Sequence, residues 1–499
     1  MNPQQGAAVG FDPQGAVLVL AGAGSGKTTV LTRRVAYLLE HFPNGGILAL
    51  TFTKDAAREM ETRLRSLLGE NASTVSFPTI GTFHSFAWGL VRSGFQGEPN
   101  WTRLGFSACP ALLETDGISA WLKAAKKELA LQESPEILAE WIKDPFAIVS
   151  GSPLPCPSQC PQSPREDLRE KFRRHLLESG RVAFDDMVPL AIRLLTGNPE
   201  VRADVRTRYR HILVDEFQDT SRDQLELVKL LTADAPSLFL VGDDDQAIYG
   251  FRGADPGNIN AALGHFPGLR VIKLETNYRS SAAIVAYANA VFRDKPAALR
   301  KRLQAGAPRG SAPVRIVSHR SGAEQAGWMM AEMQRLRREE GLAWGDMAVL
   351  FRLNVLEPYY RSMLARMGGE DAAREVILST VHASKGLEYP AVFFAGLEDG
   401  ILPYRRGKEP LQPERLAEER RIFYVGVTRA QRFLYLCSCR RRILRGKTVE
   451  AEASPFLRAA RAGMGARWFR AGGPAGIFAR GADGLAGAYR AFRGKKGEQ

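Results

Sequence analysis

Short apolar runs that stop at turn or acidic residues and lead into helical patterns recur along the chain. Ala16-Val-Leu-Val-Leu20 runs into Gly22-Ala-Gly-Ser-Gly26, and the stretch after it, Lys27 to Leu39, spaces Val30, Val35 and Leu38-Leu39 on one face. A strand followed by an amphipathic helix is the unit of a parallel α/β sheet. The run Gly46 to Thr51 precedes a helix over Asp55 to Leu68, and strands are predicted at His211–Val214, Ser237–Val241 and Val271–Leu274. Between about 89 and 205 the pattern is helical, with no strand alternation, broken by the proline-rich loop Ser150 to Pro164. A second α/β set follows at Val314–Val317, Ala348–Phe351, Ile377–Val381, Ala391–Ala395 and Phe433–Cys437. From Phe433 through Val449 the chain reads as a β-hairpin turning near Gly446. Residues 461–499 hold ten glycines and eight Lys or Arg against two acids, with no periodic core pattern. No internal repeat of fixed period is visible.

Composition narrows the class. The 499 residues carry 45% hydrophobic and 24% charged side chains, ordinary globular usage. With 68 Lys and Arg against 54 Asp and Glu, the net charge is +14, which favours a polyanionic partner without identifying one. Five cysteines cannot build a disulfide framework, which points to a reducing compartment. MNPQQGAAVG lacks a signal-peptide pattern, and no apolar run approaches the roughly 20 residues of a membrane span. The expectation is a cytoplasmic protein without a membrane partner. Cys156 and Cys160 lie in the proline-rich loop with no paired Cys or His to complete a metal site, and His41 and His211 are assigned no chemistry.

The chemistry begins between the first strand and the first long helix. In Ala21-Gly22-Ala23-Gly24-Ser25-Gly26-Lys27-Thr28, the glycines let backbone N–H groups converge on phosphate oxygens beside a helix N-terminus. Lys27 would reach the β- and γ-phosphates, and Thr28 would offer its hydroxyl to Mg²⁺. Asp215-Glu216 ends the apolar run His211 to Val214. There Asp215 can hold Mg²⁺, and Glu216 can orient and deprotonate an attacking water. Together these residues indicate ATP or GTP hydrolysis, and leave open what it drives.

Longer ordered segments answer that question. They are Asn2-Pro-Gln-Gln5, Thr51-Phe-Thr53, Gly81-Thr-Phe-His-Ser85, Gly242-Asp-Asp-Asp-Gln-Ala-Ile-Tyr-Gly-Phe-Arg-Gly-Ala254, Leu274-Glu-Thr-Asn-Tyr-Arg-Ser280, Thr380-Val-His-Ala-Ser-Lys-Gly-Leu-Glu388 and Glu418-Glu-Arg-Arg-Ile-Phe-Tyr-Val-Gly-Val-Thr-Arg-Ala430. In this order they closely resemble the UvrD/Rep/PcrA helicases of superfamily 1. The resemblance covers roughly 1–100, 180–290 and 345–455.

It implies an α/β fold of two RecA-like P-loop domains with parallel sheets, ATP in the cleft between them and single-stranded DNA across their top. The expected division is 1–88 with 206–275 as domain 1A, 89–205 as a helical 1B-like insert, 276–458 as domain 2A and 459–499 as a Gly/Arg-rich basic tail. By motif, Gln5 reads the adenine edge, Tyr278 stacks on the base and Glu388 bonds the ribose. Gln246, Arg279 and Arg429 contact the γ-phosphate, the two arginines as fingers from the second domain. Phe52, Phe83, His84, Tyr249, Phe251, Arg252, Asn354 and His382 match the family's strand-contacting positions, where aromatics suit a motor that must ignore sequence. For Phe83, core packing is the competing reading.

Four features depart from the family pattern. Thr29 stands where the family often has an arginine against the adenine, and Thr53-Lys-Asp-Ala-Ala57 replaces Thr-Asn-Lys-Ala-Ala. The gap from Asn354 to Ile377 is too short for the family's 2B subdomain, and the tail matches no family end domain. The implied function is an ATP-dependent helicase moving 3′→5′ on single-stranded DNA and opening single-strand/duplex junctions, alongside repair or replication proteins. A translocase that unwinds little without a partner is the alternative. A non-catalytic scaffold is disfavoured because it needs none of Lys27, Asp215, Glu216, Arg279 and Arg429. A nuclease fusion is disfavoured because the tail holds only Asp483 and Glu498 as carboxylates.

Overall fold

A computed structural model describes residues 1–43, 46–69, 76–142, 164–232, 237–255, 257–266, 268–292, 300–306, 310, 312–405, 407, 409–457 and 467–470. Most of the proline-rich loop, with Cys156 and Cys160, and most of the basic tail lie outside the described residues. The chain divides into two units. The first comprises Met1–Val19, Thr28–Gly242 and Gly253–Ile272; the second comprises Leu20–Lys27, Asp243–Arg252 and the chain from Lys273 onward. Against the expected division, Leu20–Lys27 with the phosphate loop, Asp243–Arg252 and Lys273–Glu275 pack with the second unit.

The first sheet runs in the order Arg270–Leu274, Ala16–Ala21, Ser237–Gly242, His211–Val214, Ile47–Thr51, Thr79–Thr82. His211–Val214 pairs in parallel with both Ile47–Thr51 and Ser237–Gly242. Ile47–Thr51, His211–Val214 and Ser237–Gly242 are buried throughout, which explains why each reads as a continuous apolar run rather than an alternation. Thr79–Thr82, paired with Ile47–Thr51, was not foreseen. Its Thr-Ile-Gly-Thr sequence has one large apolar residue, and the sheet edge it occupies demands no more.

The helix Lys27–His41 buries Val30, Val35, Leu38 and Leu39, as the spacing predicts. Thr53 caps Lys54–Leu68, its hydroxyl accepting from the Ala56 N–H at 3.1 Å. In the insert the helices Thr115–Glu128, Pro135–Trp141, Pro164–Ser179, Met187–Gly197 and Pro199–Arg208 follow one another. Three of them start on proline, whose missing N–H costs nothing at a helix start. Contrary to expectation, two short ladders occur there, Gly94–Phe95 with Glu98–Pro99 and Ala111–Leu112 with Arg181–Val182. Two-residue strands are too short to show alternation.

The second sheet orders Ile377–Thr380, Met347–Phe351, Tyr389–Phe394, Ala430–Leu444, Arg315–Ser321 and Arg467–Arg470. The pairings along this order are parallel. The strand Ala430–Leu444 runs past the sheet and folds back antiparallel on Lys447–Glu450, with Leu444 opposite Lys447. Arg445 (φ 51°) and Gly446 (φ 77°) make the turn. Two consecutive left-handed residues are what a tight hairpin requires. Between Asn354 and Ile377 lie a single turn, Asn354–Leu356, and the helix Glu357–Glu375, broken at Gly369 (φ 82°). Among the described residues no helix is long and apolar enough to cross a membrane.

Candidate nucleotide and nucleic-acid site

Buried strand residues Val17 to Ala21 deliver the chain into the phosphate loop. Gly24 (φ 66°) and Gly26 (φ 82°) take the left-handed backbone that glycine adopts at no steric cost. At Gly24 a side chain is excluded by space as well, since its Cβ would stand 2.6 Å from the Arg279 Cβ. The loop ends on Lys27, the first residue of the helix Lys27–His41, so the helix N-terminus points its unpaired N–H groups there. Glycine backbone, helix N-terminus and lysine together form a cradle that fits a nucleotide's phosphates.

Asn277 joins Tyr278 and Arg279 to this loop. Its side-chain N–H donates to the Ala23 carbonyl at 2.7 Å, and its Oδ1 accepts from the N–H of Arg279 and Ser280 at 2.9 and 2.7 Å. The Tyr278 N–H donates to the Gly24 carbonyl at 2.8 Å. The neighbours Tyr278 and Arg279 are thereby brought beside the phosphate loop, and Tyr278 keeps 36% of its surface exposed.

Arg279 donates through Nε to Glu388 and through Nη1 to the Thr428 carbonyl at 3.3 Å. Burial works against the Glu388 charge, but Arg279 and Arg429 outweigh it and hold the carboxyl below its usual range. Arg429 itself is 1% exposed. It is held rigidly by the Val425 and Leu387 carbonyls at 3.0 Å each, and its Nη2 meets the Gln246 Oε1 at 3.4 Å. Gln246, Arg279, Glu388 and Arg429 are therefore one cluster.

In the first unit, Asp215 follows the strand His211–Val214, and its N–H extends the pairing to the Leu50 carbonyl at 2.8 Å. Glu216 has φ 48° and ψ 43°, a left-handed backbone without glycine's excuse. Such strain costs on the order of 1 kcal/mol or more and collects at functional sites. Here the Asp215 carboxylate accepts the Glu216 N–H at 2.9 Å. Gln218, fully buried, donates its amide to the Glu216 carboxylate and to Asp219 at 3.1 Å. Gln218 follows the Asp215-Glu216 pair and Asn277 lies inside the segment Leu274 to Ser280, but nothing local marked them as the residues that orient Glu216 and Tyr278.

Gln5 is nearly buried in a capping box with Asn2, whose N–H donates to the Gln5 Oε1 at 3.1 Å. Thr28 is half-buried and Thr29 exposed.

Four of the residues expected to contact a DNA strand come together. The Phe251 ring, 60% exposed, meets His382 edge-on at 5.4 Å and Tyr249 at 6.0 Å. The Arg252 guanidinium lies 5.2 Å over Tyr249, and the Lys385 ammonium 4.9 Å from the same ring. Lys385 also donates to the Gln246 carbonyl at 2.7 Å, tying this aromatic group to the cluster of Gln246, Arg279, Glu388 and Arg429. In the first unit His84 stacks on Phe184 at 4.4 Å. Phe184 is 53% exposed; it was missed because a single aromatic before Asp185-Asp186 carries no spacing signal. Phe52 is half-buried and Asn354 exposed. Phe83 is 2% exposed, so its ring belongs to the core and leaves the strand-contacting set.

Burial, together with Arg352, Lys385, Arg252 and Arg415, pushes His382 down to about 4. Burial similarly takes His211 and His319 down to about 4. A histidine depressed from 6.5 contributes stability that is complete above 6.5 and is lost as pH falls toward 4. Tm should therefore fall by about 5 °C or more from about pH 7 to about pH 5. A His319→Phe variant should lose less over that interval. A Tm flat across it would refute this account.

Comparison with known proteins agrees with the geometry. Residues 1–267 match the UvrD/REP helicase N-terminal domain, and residues 360–441 the UvrD-like helicase C-terminal domain. A protein of Mycoplasma pneumoniae described as a probable DNA helicase is 32% identical over 455 residues, covering 88% of this chain and 83% of that protein. The ATP-dependent DNA helicase Rep of Escherichia coli is 27% identical, covering 92% and 93%. The ATP-dependent DNA helicase PcrA of Leuconostoc citreum is 26% identical, covering 92% and 84%. With its two α/β sheets, its phosphate loop and these matches, the chain belongs to the UvrD/REP helicase family.

Proposed function

We propose that the protein is an ATP-driven motor that moves 3′→5′ on single-stranded DNA and unwinds duplex at junctions. The observation that carries this reading is the tie from the phosphate loop through Asn277 to Tyr278 and Arg279, continued by Glu388, Gln246 and Arg429. Fixed cations at that place suit the charge that spreads over a transferring phosphoryl group. In this reading Gln5 and Tyr278 hold the adenine, Glu388 the ribose, and the backbone of residues 21–26 with Lys27 the phosphates. Thr28 and Asp215 are the residues that would hold Mg²⁺, which neutralises phosphate charge when bound. Glu216, aimed by its left-handed backbone and by Gln218, takes the proton of the attacking water.

For DNA, Phe251 offers the largest exposed aromatic surface, with Tyr249, Arg252 and His382 behind it and Phe52, His84 and Asn354 as further contacts; Phe184 joins His84. Base–aromatic stacking is worth about 1–3 kcal/mol per base. Phe251→Ala should therefore raise the DNA concentration that half-saturates ATPase stimulation by about 10-fold, with turnover at saturating DNA within about twofold. ATPase titrated with oligothymidylate checks it; an unchanged half-saturation point removes Phe251 from the path.

The hairpin at Arg445-Gly446 is the proposed strand separator. A second reading, a translocase that unwinds little without a partner, is favoured by the single helix Glu357–Glu375, which leaves no room in sequence for a 2B subdomain. Strand displacement with ATP and Mg²⁺ on duplexes bearing a 3′ or a 5′ tail separates the readings. Release from the 3′-tailed duplex alone establishes the helicase. DNA-stimulated hydrolysis without release establishes the translocase, and absence of both overturns the motor.

A further inference from the structure

The residues Arg300 to Gly306 belong to none of the family-matching segments, yet they press on two of them and on the phosphate loop. The Leu303 side chain fills the space beside Gly22, where a Cβ would stand 2.1 Å from its Cδ2. Gln304 and Ala305 pair in parallel with Thr276 and Asn277. Gly306 lies under the Tyr278 ring, leaving 2.9 Å for a Cβ. Lys301, whose side chain is 1% exposed, sends its ammonium into the acids that precede Gln246. It lies 2.8 Å from the Asp243 Oδ1 and 2.9 Å from the Asp245 Oδ2, and it also bonds Asp244.

A buried lysine normally loses its proton, but here the three carboxylates overcome the cost of burial and hold it firmly charged. The effect on Asp243 matters most. While one of its oxygens faces Lys301, the other accepts the Gln246 Nε2–H at 2.6 Å. An ionised carboxylate can only accept, so it fixes which end of the amide faces it. The Gln246 Oε1 is thereby turned toward Arg429, at 3.4 Å. A flipped amide would set N–H donors against a guanidinium that has only donors. Without the ammonium, the Asp243 carboxylate would lose the cation that holds it beside two like charges with oxygens within 4.8 Å, and the amide would lose its fixed acceptor.

We infer that Lys301 is a positioning residue for ATP hydrolysis, acting through Asp243 to hold the Gln246 amide oxygen toward Arg429. This rests on the proposed role of Gln246 in turnover. The test is a double-mutant cycle on DNA-stimulated ATPase, using wild type, Lys301→Met, Gln246→Ala and the double variant. Lys301→Met should lower kcat by about 10- to 100-fold, with KM for ATP within about threefold, because Gln246 faces a group of the hydrolytic step. In the Gln246→Ala background the same change should lower kcat no further, since its target is gone.

A generally destabilising lesion would multiply the two defects, and that result overturns the inference, as does an unchanged kcat in Lys301→Met. Should Lys301→Met fail to fold, Asp243→Asn keeps the shape, frees the amide to flip and is judged by the same cycle. Full turnover in Gln246→Ala would sink the functional reading of Gln246 and the inference with it. A defective Gln246→Ala with a multiplicative Lys301→Met sinks the inference alone.

Discussion

Arg429→Ala is expected to lower DNA-stimulated ATP turnover by about a thousandfold, the scale of losing an arginine finger, while binding of single-stranded DNA changes little. Arg429 lies in a cluster with Gln246, Arg279 and Glu388, whereas the exposed ring of Phe251 is grouped with Tyr249, Arg252 and His382. Its side chain is also a structural peg, since it satisfies the Val425 and Leu387 carbonyls from a site 1% exposed. Alanine would remove both bonds, although the Val425 carbonyl would keep the Thr428 hydroxyl at 3.1 Å. Thermal unfolding therefore belongs beside the kinetics. Arg429→Lys separates the two roles, because lysine keeps the charge but loses the planar fork. Turnover in Arg429→Lys should stay at least about tenfold below wild type, with Tm closer to wild type than the alanine variant. Wild-type turnover in a folded Arg429→Ala would remove the residue from the mechanism.

Glu216→Gln carries the second largest effect. The substitution keeps shape and hydrogen-bonding reach but cannot take a proton, so kcat should fall by about a hundred- to ten-thousandfold. Affinity for ATP should hold or rise, because nothing that touches the phosphate loop is altered. Stability should also hold. The φ of 48° at Glu216 is a backbone property, unchanged by the swap, and the Gln218 amide can still donate to the new carbonyl oxygen. Single-turnover hydrolysis with bound nucleotide measured separately gives the split. Loss of nucleotide binding, or wild-type kcat, would contradict the assignment of Glu216 as base.

Much of this was legible because parallel strands buried on both faces become unbroken apolar runs. Ala16–Ala21, His211–Val214 and Ser237–Gly242 stood within a residue of their observed limits. The hairpin turn near Gly446 was visible for a different reason, since few residues other than glycine accept a left-handed backbone. Edge elements were harder. Thr79–Thr82 pairs on one side only, so its composition was under weak constraint. Phe83 illustrates the limit for site residues. An aromatic in a motif can serve the strand or the core, and only its burial decides.

The order of motifs by itself determined the family, and residue types marked a candidate phosphate loop, the acid pair after His211–Val214 and two candidate finger arginines, because those groups are chemistry that must be present in kind. Which groups orient them was decided by the tertiary structure alone. Lys301 lies more than fifty residues from Asp243 in sequence, and Asn277 more than two hundred and fifty from Ala23. Such contacts leave no periodicity and no spacing, since a side chain recruited across a fold is constrained by direction and distance in space. The same holds for the grouping of Gly22 to Lys27 and Asp243 to Arg252 with the second unit. Chain order places them between strands of the first sheet, and packing assigns them elsewhere because their hydrogen bonds and buried ion pairs are satisfied there.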